Sequence, residues 1–245
     1  MSEPAEPAPP PLDDPLYAAL GEGVSGTAGR VVVGLNWTLV EGPEGVGLAH
    51  TEARGTGGCD GLPEPGEYAG CDLAELARLT ASDNIFERSI ALAAINAHHN
   101  RWDLEGEAVN GLDLVEPRGE KTVVIGRFPD LDERLPGAAG IERKPGPGNY
   151  PEAAAETLLP AAEHVLITAA TLVNGSLPRL LELGCEAFVV LVGPSVPLAP
   201  VLFDFGVDAA SGFVVIDTGA ALRTVMEGGA VQALKRHGRY VTVTK

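Results

Sequence analysis

Four short runs in the C-terminal half could hold a small molecule, and each begins where an apolar run stops. Gly126-Arg-Phe-Pro129 follows Val123-Val-Ile125, and Glu142-Arg-Lys-Pro145 closes Ala138–Glu142. Thr168-Ala-Ala-Thr-Leu-Val-Asn-Gly-Ser176 follows His164–Ile167, and Gly193-Pro-Ser-Val-Pro197 follows Phe188-Val-Val-Leu-Val192. The chemistry they offer is recognition. Arg127 can pair with a carboxylate or phosphate. Glu142 can accept from a hydroxyl or amine, while Thr168, Asn174 and Ser195 can donate or accept. Phe128, Thr171, Gly193 and Pro194 belong to the same runs and join the candidate set. Asn174 and Ser195 lie near expected helix starts, where free backbone N–H groups favour anions. Taken singly, Gly193-Pro194 is also a tight turn, and Asn174 and Ser176 are also helix caps. Four coincident strand ends favour a crevice.

Other chemistries find less support. An acidic residue at the end of a second parallel strand, the place of Glu142, is where dinucleotide- and adenosyl-binding proteins hold a ribose hydroxyl. The first turn, Gly126-Arg-Phe-Pro-Asp130, lacks GxGxxG, and Pro129 removes a backbone donor, so no pyrophosphate cradle is present. An adenosyl ligand without pyrophosphate, such as S-adenosylmethionine, stays open. Gly55-Thr-Gly-Gly58 does not directly follow a strand and reads as loop, and no GxxxxGK[ST] motif occurs. The potential metal ligands His50, Cys59, Cys71, His98, His99, His164 and Cys185 show no zinc spacing. His98 and His99 diverge by about 100° on a helix and are poorly placed to share one ion. Cys59 and Cys71 flank one loop and could meet His50, although idle thiols explain them as well. Ser195 lacks the GxSxG elbow, so a Ser–His–acid triad is not expected.

The elements that must position these residues are readable from periodicity. From Lys121 onward strand-like runs (Thr122–Gly126, Ala138–Glu142, His164–Thr168, Ala187–Gly193, Gly212–Asp217) alternate with segments expected to be helical or capped. Those are Pro151–Leu159, Gly175–Leu183, Leu198–Phe205 and Thr218–Met226. The alternation predicts βαβ crossovers and a doubly wound parallel, Rossmann-like sheet, with ligands beyond the carboxyl ends of its strands. The N-terminal half reads as a smaller α+β unit. A helix starts at Asp13-Asp14-Pro15 and ends at Gly21. A strand over Arg30–Val40 and another over Val46–Thr51 form a hairpin, and a Gly/Pro loop spans Arg54–Gly70. Helices follow at Asp72–Leu79 and after the Ser82-Asp-Asn84 cap, the second presenting Ile85, Ile90, Ala93, Ala94 and Ala97 on one side. The expected organisation is a flexible Pro-rich arm at 1–12, an α+β domain at 13–116 and a Rossmann-like domain at 120–245.

Composition fits this picture and narrows the function. The 245 residues are 45% hydrophobic and 21% charged, which is ordinary for a globular chain. A formal charge of −17 argues against nucleic acid, which needs clustered Lys and Arg, and against anionic membrane surfaces. No apolar run reaches the ~18 residues of a membrane span and no secretion signal opens the chain, so the cytoplasm is the default compartment. An odd cysteine count, three, with no CxxC pair makes a disulfide framework unexpected.

The runs quoted above, together with Gly34-Leu-Asn-Trp-Thr38, Gly47-Leu-Ala49, Ala93-Ala-Ile-Asn-Ala97, Phe205-Gly-Val-Asp208 and Glu227-Gly-Gly229, resemble the family named "putative heavy-metal chelation". Their order and spacing carry the resemblance over nearly the whole chain from about Asp14. It implies an enolase-N-terminal-like domain followed by a Rossmann-like domain, with a ligand site between them and the Asn96 helix facing the strand ends. Members often have His at the position of Arg127. A guanidinium is a permanent cation and ligates no metal, so Arg127 favours an anionic group on the ligand instead. Two function classes follow, with a non-catalytic scaffold a third that no positive feature supports. One is a small-molecule or metal-chelate binding protein, with a divalent metal as the implied partner of the ligand. The other is an enzyme, a transferase or lyase, using S-adenosylmethionine held by Glu142. A homodimer is compatible with either.

Overall fold

The structure, a computed structural model, describes residues 14–52 and 61–245. The Pro-rich arm, Asp13, Gly55–Gly58 and Cys59 lie outside the described residues. The first helix, Pro15–Gly21, starts as its sequence dictates, with Asp14 accepting from the Leu16 N–H at 2.9 Å and Pro in the first turn.

Three antiparallel strands follow: β1 (Val31–Val33), β2 (Trp37–Glu41) and β3 (Val46–His50). The sequence reading runs β1 and β2 together as one strand. The chain instead turns at Gly34–Asn36, closed by the Gly34 N–H donating to the Trp37 carbonyl at 2.9 Å. Asn36 Nδ2 ties that corner to the Gly228 carbonyl at 2.8 Å. The Leu73–Ala77 helix, capped by Asp72, continues as a short 3-10 turn, and Asn84 caps the long Ile85–His99 helix by accepting from the Phe86 N–H at 2.9 Å.

The small sheet is apolar on both faces. Alternation along β2 and β3 sends Leu39, Val46 and Leu48 into a cluster with Phe213, Val215 and Val225 of the second half. Val40 and Ala49 point the other way, into the cluster that holds Ile90, Ala93 and Ala97 of the long helix. That helix is buried nearly all round, because the sheet covers one side and the second half another. A Cβ on Gly47 would lie 1.8 Å from the Ala93 carbonyl oxygen, so only glycine lets helix and sheet approach this closely.

The second half contains β4 (Thr122–Ile125), β5 (Ala139–Glu142), β6 (Tyr150–Pro151), β7 (His164–Thr168), β8 (Phe188–Val192), β9 (Ala209–Val215) and β10 (Gly238–Thr244). They form one sheet in the order β10-β9-β8-β7-β4-β5-β6. All neighbours are parallel except β9 and β10, paired antiparallel from Gly238↔Val215 to Thr244↔Ala209. The architecture is the two-part α/β fold expected, with a Rossmann-like sheet that is mixed rather than wholly parallel. β9 starts before the expected Gly212. The edge strand β10 is absent from the sequence reading, although Tyr240-Val-Thr-Val-Thr244 carries the β-branched composition of a strand. Helices pack Leu172, Leu177 and Leu180 onto one face of the sheet. The connecting segment covers the other with Leu112 and Val115, over Val124, Leu166 and Val190. Among the described residues no helix is long and apolar enough to cross a membrane.

Gly47→Ala should cost at least about 2 kcal/mol, because the added methyl displaces helix backbone rather than a flexible side chain. The urea midpoint measures it, and a shift worth less than about 0.5 kcal/mol would contradict so close an approach.

Candidate functional site

The winding direction reverses between β4 and β7, which are neighbours in the sheet but not in the chain. Ligands of open α/β sheets bind at such a switch point. A cavity of about 810 Å³ lies there, lined by residues from the carboxyl ends of β4, β5, β7 and β8. Its size suits a small organic ligand. Gly126 ends β4 at φ 92°, and a Cβ there would lie 2.5 Å from Thr168 Cγ2, so this glycine lets the ends of β4 and β7 come together.

Arg127 and Phe128 line the cavity beyond β4. Asp130 follows them at φ 58°, the left-handed region that a non-glycine residue enters at some cost. Beyond β5, Glu142 lines the wall and accepts from Asn149 Nδ2 at 2.7 Å through Oε1. Arg143 reaches across to the buried Glu52 of the first half at 3.4 Å and to Glu152 at 3.5 Å. Thr168, Thr171 and Asn174 line it beyond β7. Thr171 Oγ1 donates to the Thr168 carbonyl at 2.7 Å, and Asn174 Oδ1 accepts from the Ser176 N–H at 3.0 Å. That carbonyl oxygen is therefore occupied by a local turn, while the cap role anticipated for Ser176 itself is not made. Gly193 and Pro194 form the wall beyond β8.

Asn96 and Ser195 sit behind that wall instead. Both are buried at the junction of the halves. Ser195 Oγ accepts from the His50 N–H at 2.8 Å, and Asn96 Nδ2 donates to the Ser195 carbonyl at 3.0 Å and the Leu48 carbonyl at 2.7 Å. Asn100, which sequence reasoning did not single out, completes the brace. Its Nδ2 donates to the Val196 carbonyl at 2.9 Å and its Oδ1 accepts from the Leu198 N–H at 2.8 Å. The loop bearing Gly193 and Pro194 is thus held in place by the first half. Trp37, His50 and Glu52 of that half, and Lys235 and Tyr240 near the C-terminus, also line the cavity and were missed. The last two could not be placed without β10.

Charge is distributed unevenly. The cavity wall holds six of the chain's 17 Lys and Arg but only five of its 34 Asp and Glu, among the described residues. Arg134 is paired with Asp113, and Arg179 with Glu156 and Glu182. Arg127, Lys144 and Lys235 pair with no carboxylate among the described residues. No three His, Cys, Asp or Glu side chains converge as a cation site among the described residues. The wall carboxylates of Glu142, Glu152 and Glu156 each face Asn or Arg partners. The described donor set therefore does not fit a metal held by protein groups alone.

Two family models, each described as "Putative heavy-metal chelation", match the chain, one over residues 17–99 and the other over residues 110–244. A crystal structure of a protein with unknown function from Desulfitobacterium hafniense DCB-2 shares 33% identity and a TM-score of 0.83, covering 94% of this chain and 97% of that one. One from Pyrococcus horikoshii, also of unknown function, shares the fold at 21% identity and a TM-score of 0.75, covering 94% and 98%. No curated protein matches the chain.

Asn100→Ala should destabilise by about 2–4 kcal/mol, since it strands a buried N–H and a buried carbonyl. Urea denaturation gives the cost, and hydrogen exchange should accelerate at the Leu198 amide. An unchanged Leu198 exchange rate would contradict the brace.

Proposed function

The chain belongs to the putative heavy-metal chelation family, and from that premise we propose that it is a small-molecule-binding protein whose strand-end cavity takes an organic anion. A metal enters as a chelate, held by the ligand's own groups. The observation that carries this reading is the set of cations without a carboxylate partner among the described residues, Arg127 and Lys144 foremost, in the cavity of a chain with a net charge of −17. Arg127 offers two parallel N–H donors to a carboxylate or phosphate. The hydroxyls of Thr168 and Thr171 and the amide of Asn174 stand on the same wall to orient the rest of the ligand.

Glu142 supports a second reading, an adenosyl ligand such as S-adenosylmethionine. It lies at the end of β5 with Oε1 held by Asn149, and a ribose hydroxyl would donate to the other oxygen. Calorimetry with S-adenosylmethionine on the parent and on Glu142→Ala decides it. Undetectable binding, or equal binding by both, removes this reading.

For the principal reading, a panel of di- and tricarboxylates and phosphate esters is screened by thermal shift, and hits are titrated calorimetrically. Arg127→Gln should weaken binding roughly 10- to 100-fold, the loss of one charge-assisted contact. Citrate should raise the melting temperature with or without bound metal. Stabilisation by divalent metal chlorides alone, with none from any organic anion, would overturn the reading.

A further inference from the structure

The cavity reaches beyond the parallel strand ends. Trp37 of β2, Tyr240 of β10 and Lys235, in the turn just before β10, line it too. Because β10 runs antiparallel, its first residues lie beside the carboxyl ends of the other strands, where Tyr240 pairs with Phe213. Trp37 and Tyr240 belong to one apolar cluster, and the rings of Phe213 and Tyr240 meet edge to face at 5.3 Å. Lys235 Nζ stands 6.0 Å from the centre of the Tyr240 ring.

Two features of this end call for a partner. Trp37 is 8% exposed, yet its Nε1–H meets no acceptor among the described residues. Buried indole N–H groups normally find one. Lys235 pairs with no carboxylate among the described residues, although acidic side chains outnumber basic ones two to one, 34 to 17. Burial holds the Tyr240 phenol above its ordinary pKa, so it stays protonated as a donor at neutral pH. All three groups donate, and none supplies a negative charge.

Arg127 and Lys144 lie at the other end, beyond β4 and β5. Four strand spacings separate β4 from β10, roughly 19 Å at about 4.8 Å each. The wall between them carries Val192 and Pro194 beside the polar side chains of Thr168, Thr171 and Asn174.

We propose that Trp37, Lys235 and Tyr240 form a second anion subsite, so that the ligand is an elongated diacid, one end at Arg127 and the other at Lys235. This rests on the organic-anion reading given above and adds the second anionic group and the spacing. It also explains why the edge strand and the N-terminal hairpin both border the cavity.

The chain has two tryptophans, and Trp102, 41% exposed, does not line the cavity. Trp102→Phe therefore leaves Trp37 as the only indole reporter. This variant is titrated with linear α,ω-dicarboxylates from succinate to sebacate and with monocarboxylates of matching length. Long diacids should change Trp37 fluorescence and bind at least tenfold tighter than the matching monoacids. Adding Lys235→Gln, at an exposed position, should bring that ratio towards one. Equal binding of diacids and monoacids at every length, or a ratio unmoved by Lys235→Gln, overturns the second subsite and leaves the organic-anion reading standing. If neither series binds at millimolar concentration and the anion panel is also silent, both fail together.

Discussion

The small N-terminal sheet cannot leave either of its faces in water. Leu39, Val46 and Leu48 on one side and Val40 and Ala49 on the other are all at most 1% exposed, and each large apolar side chain so buried contributes roughly 1.5–3 kcal/mol. Of the helices in its own half, the long Ile85–His99 helix packs against this sheet, and it takes one face. The other must be covered by β9 and the Thr218–Met226 helix. The halves are consequently packed through shared clusters. This contact fixes where β3 ends and where the long helix ends, and those ends hold Ser195, Val196 and Leu198. The cavity wall inherits its position from a core requirement.

That coupling explains what the sequence did and did not disclose. Apolar runs of period and length suited to doubly covered strands announced β4, β5, β7 and β8, and their ends announced the residues around Arg127, Glu142, Thr168 and Gly193. Directionality made the convergence readable, since parallel strands carry their carboxyl ends to one side. Ser195 was placed in the same crevice because polar residues near strand ends are ambiguous, and Asn96 because the family resemblance turns its helix towards those ends. Nothing in a one-dimensional pattern separates a side chain that faces a ligand from one that braces the loop behind it. Tyr240 and Lys235 stayed hidden for a different reason. An antiparallel edge strand breaks the alternation on which the reading relied, and only pairing with β9 brings its first residues to the site. The split at Gly34–Asn36 was likewise decided by tertiary contact, with the Thr218–Met226 helix packed against the corner.

Electrostatics gives the site its character. The chain is strongly acidic, yet its cavity gathers a third of its Lys and Arg, six of 17, and leaves three of them unpaired among the described residues. The surrounding negative surface sharpens the contrast for an approaching ligand. A chelating name and an anion-seeking cavity are compatible, because strong chelators of metals are commonly polycarboxylates or phosphates. On the proposed reading, the wall would recognise the organic part, with the metal carried inside it.

The most direct measurement is the position of a heavy anion in the crystal. Crystals soaked in selenate and measured at the selenium absorption edge should give their strongest anomalous peak inside the cavity, within hydrogen-bonding reach of Arg127 or Lys235. Peaks confined to basic side chains outside the cavity, with none inside it at saturating selenate, would contradict the account.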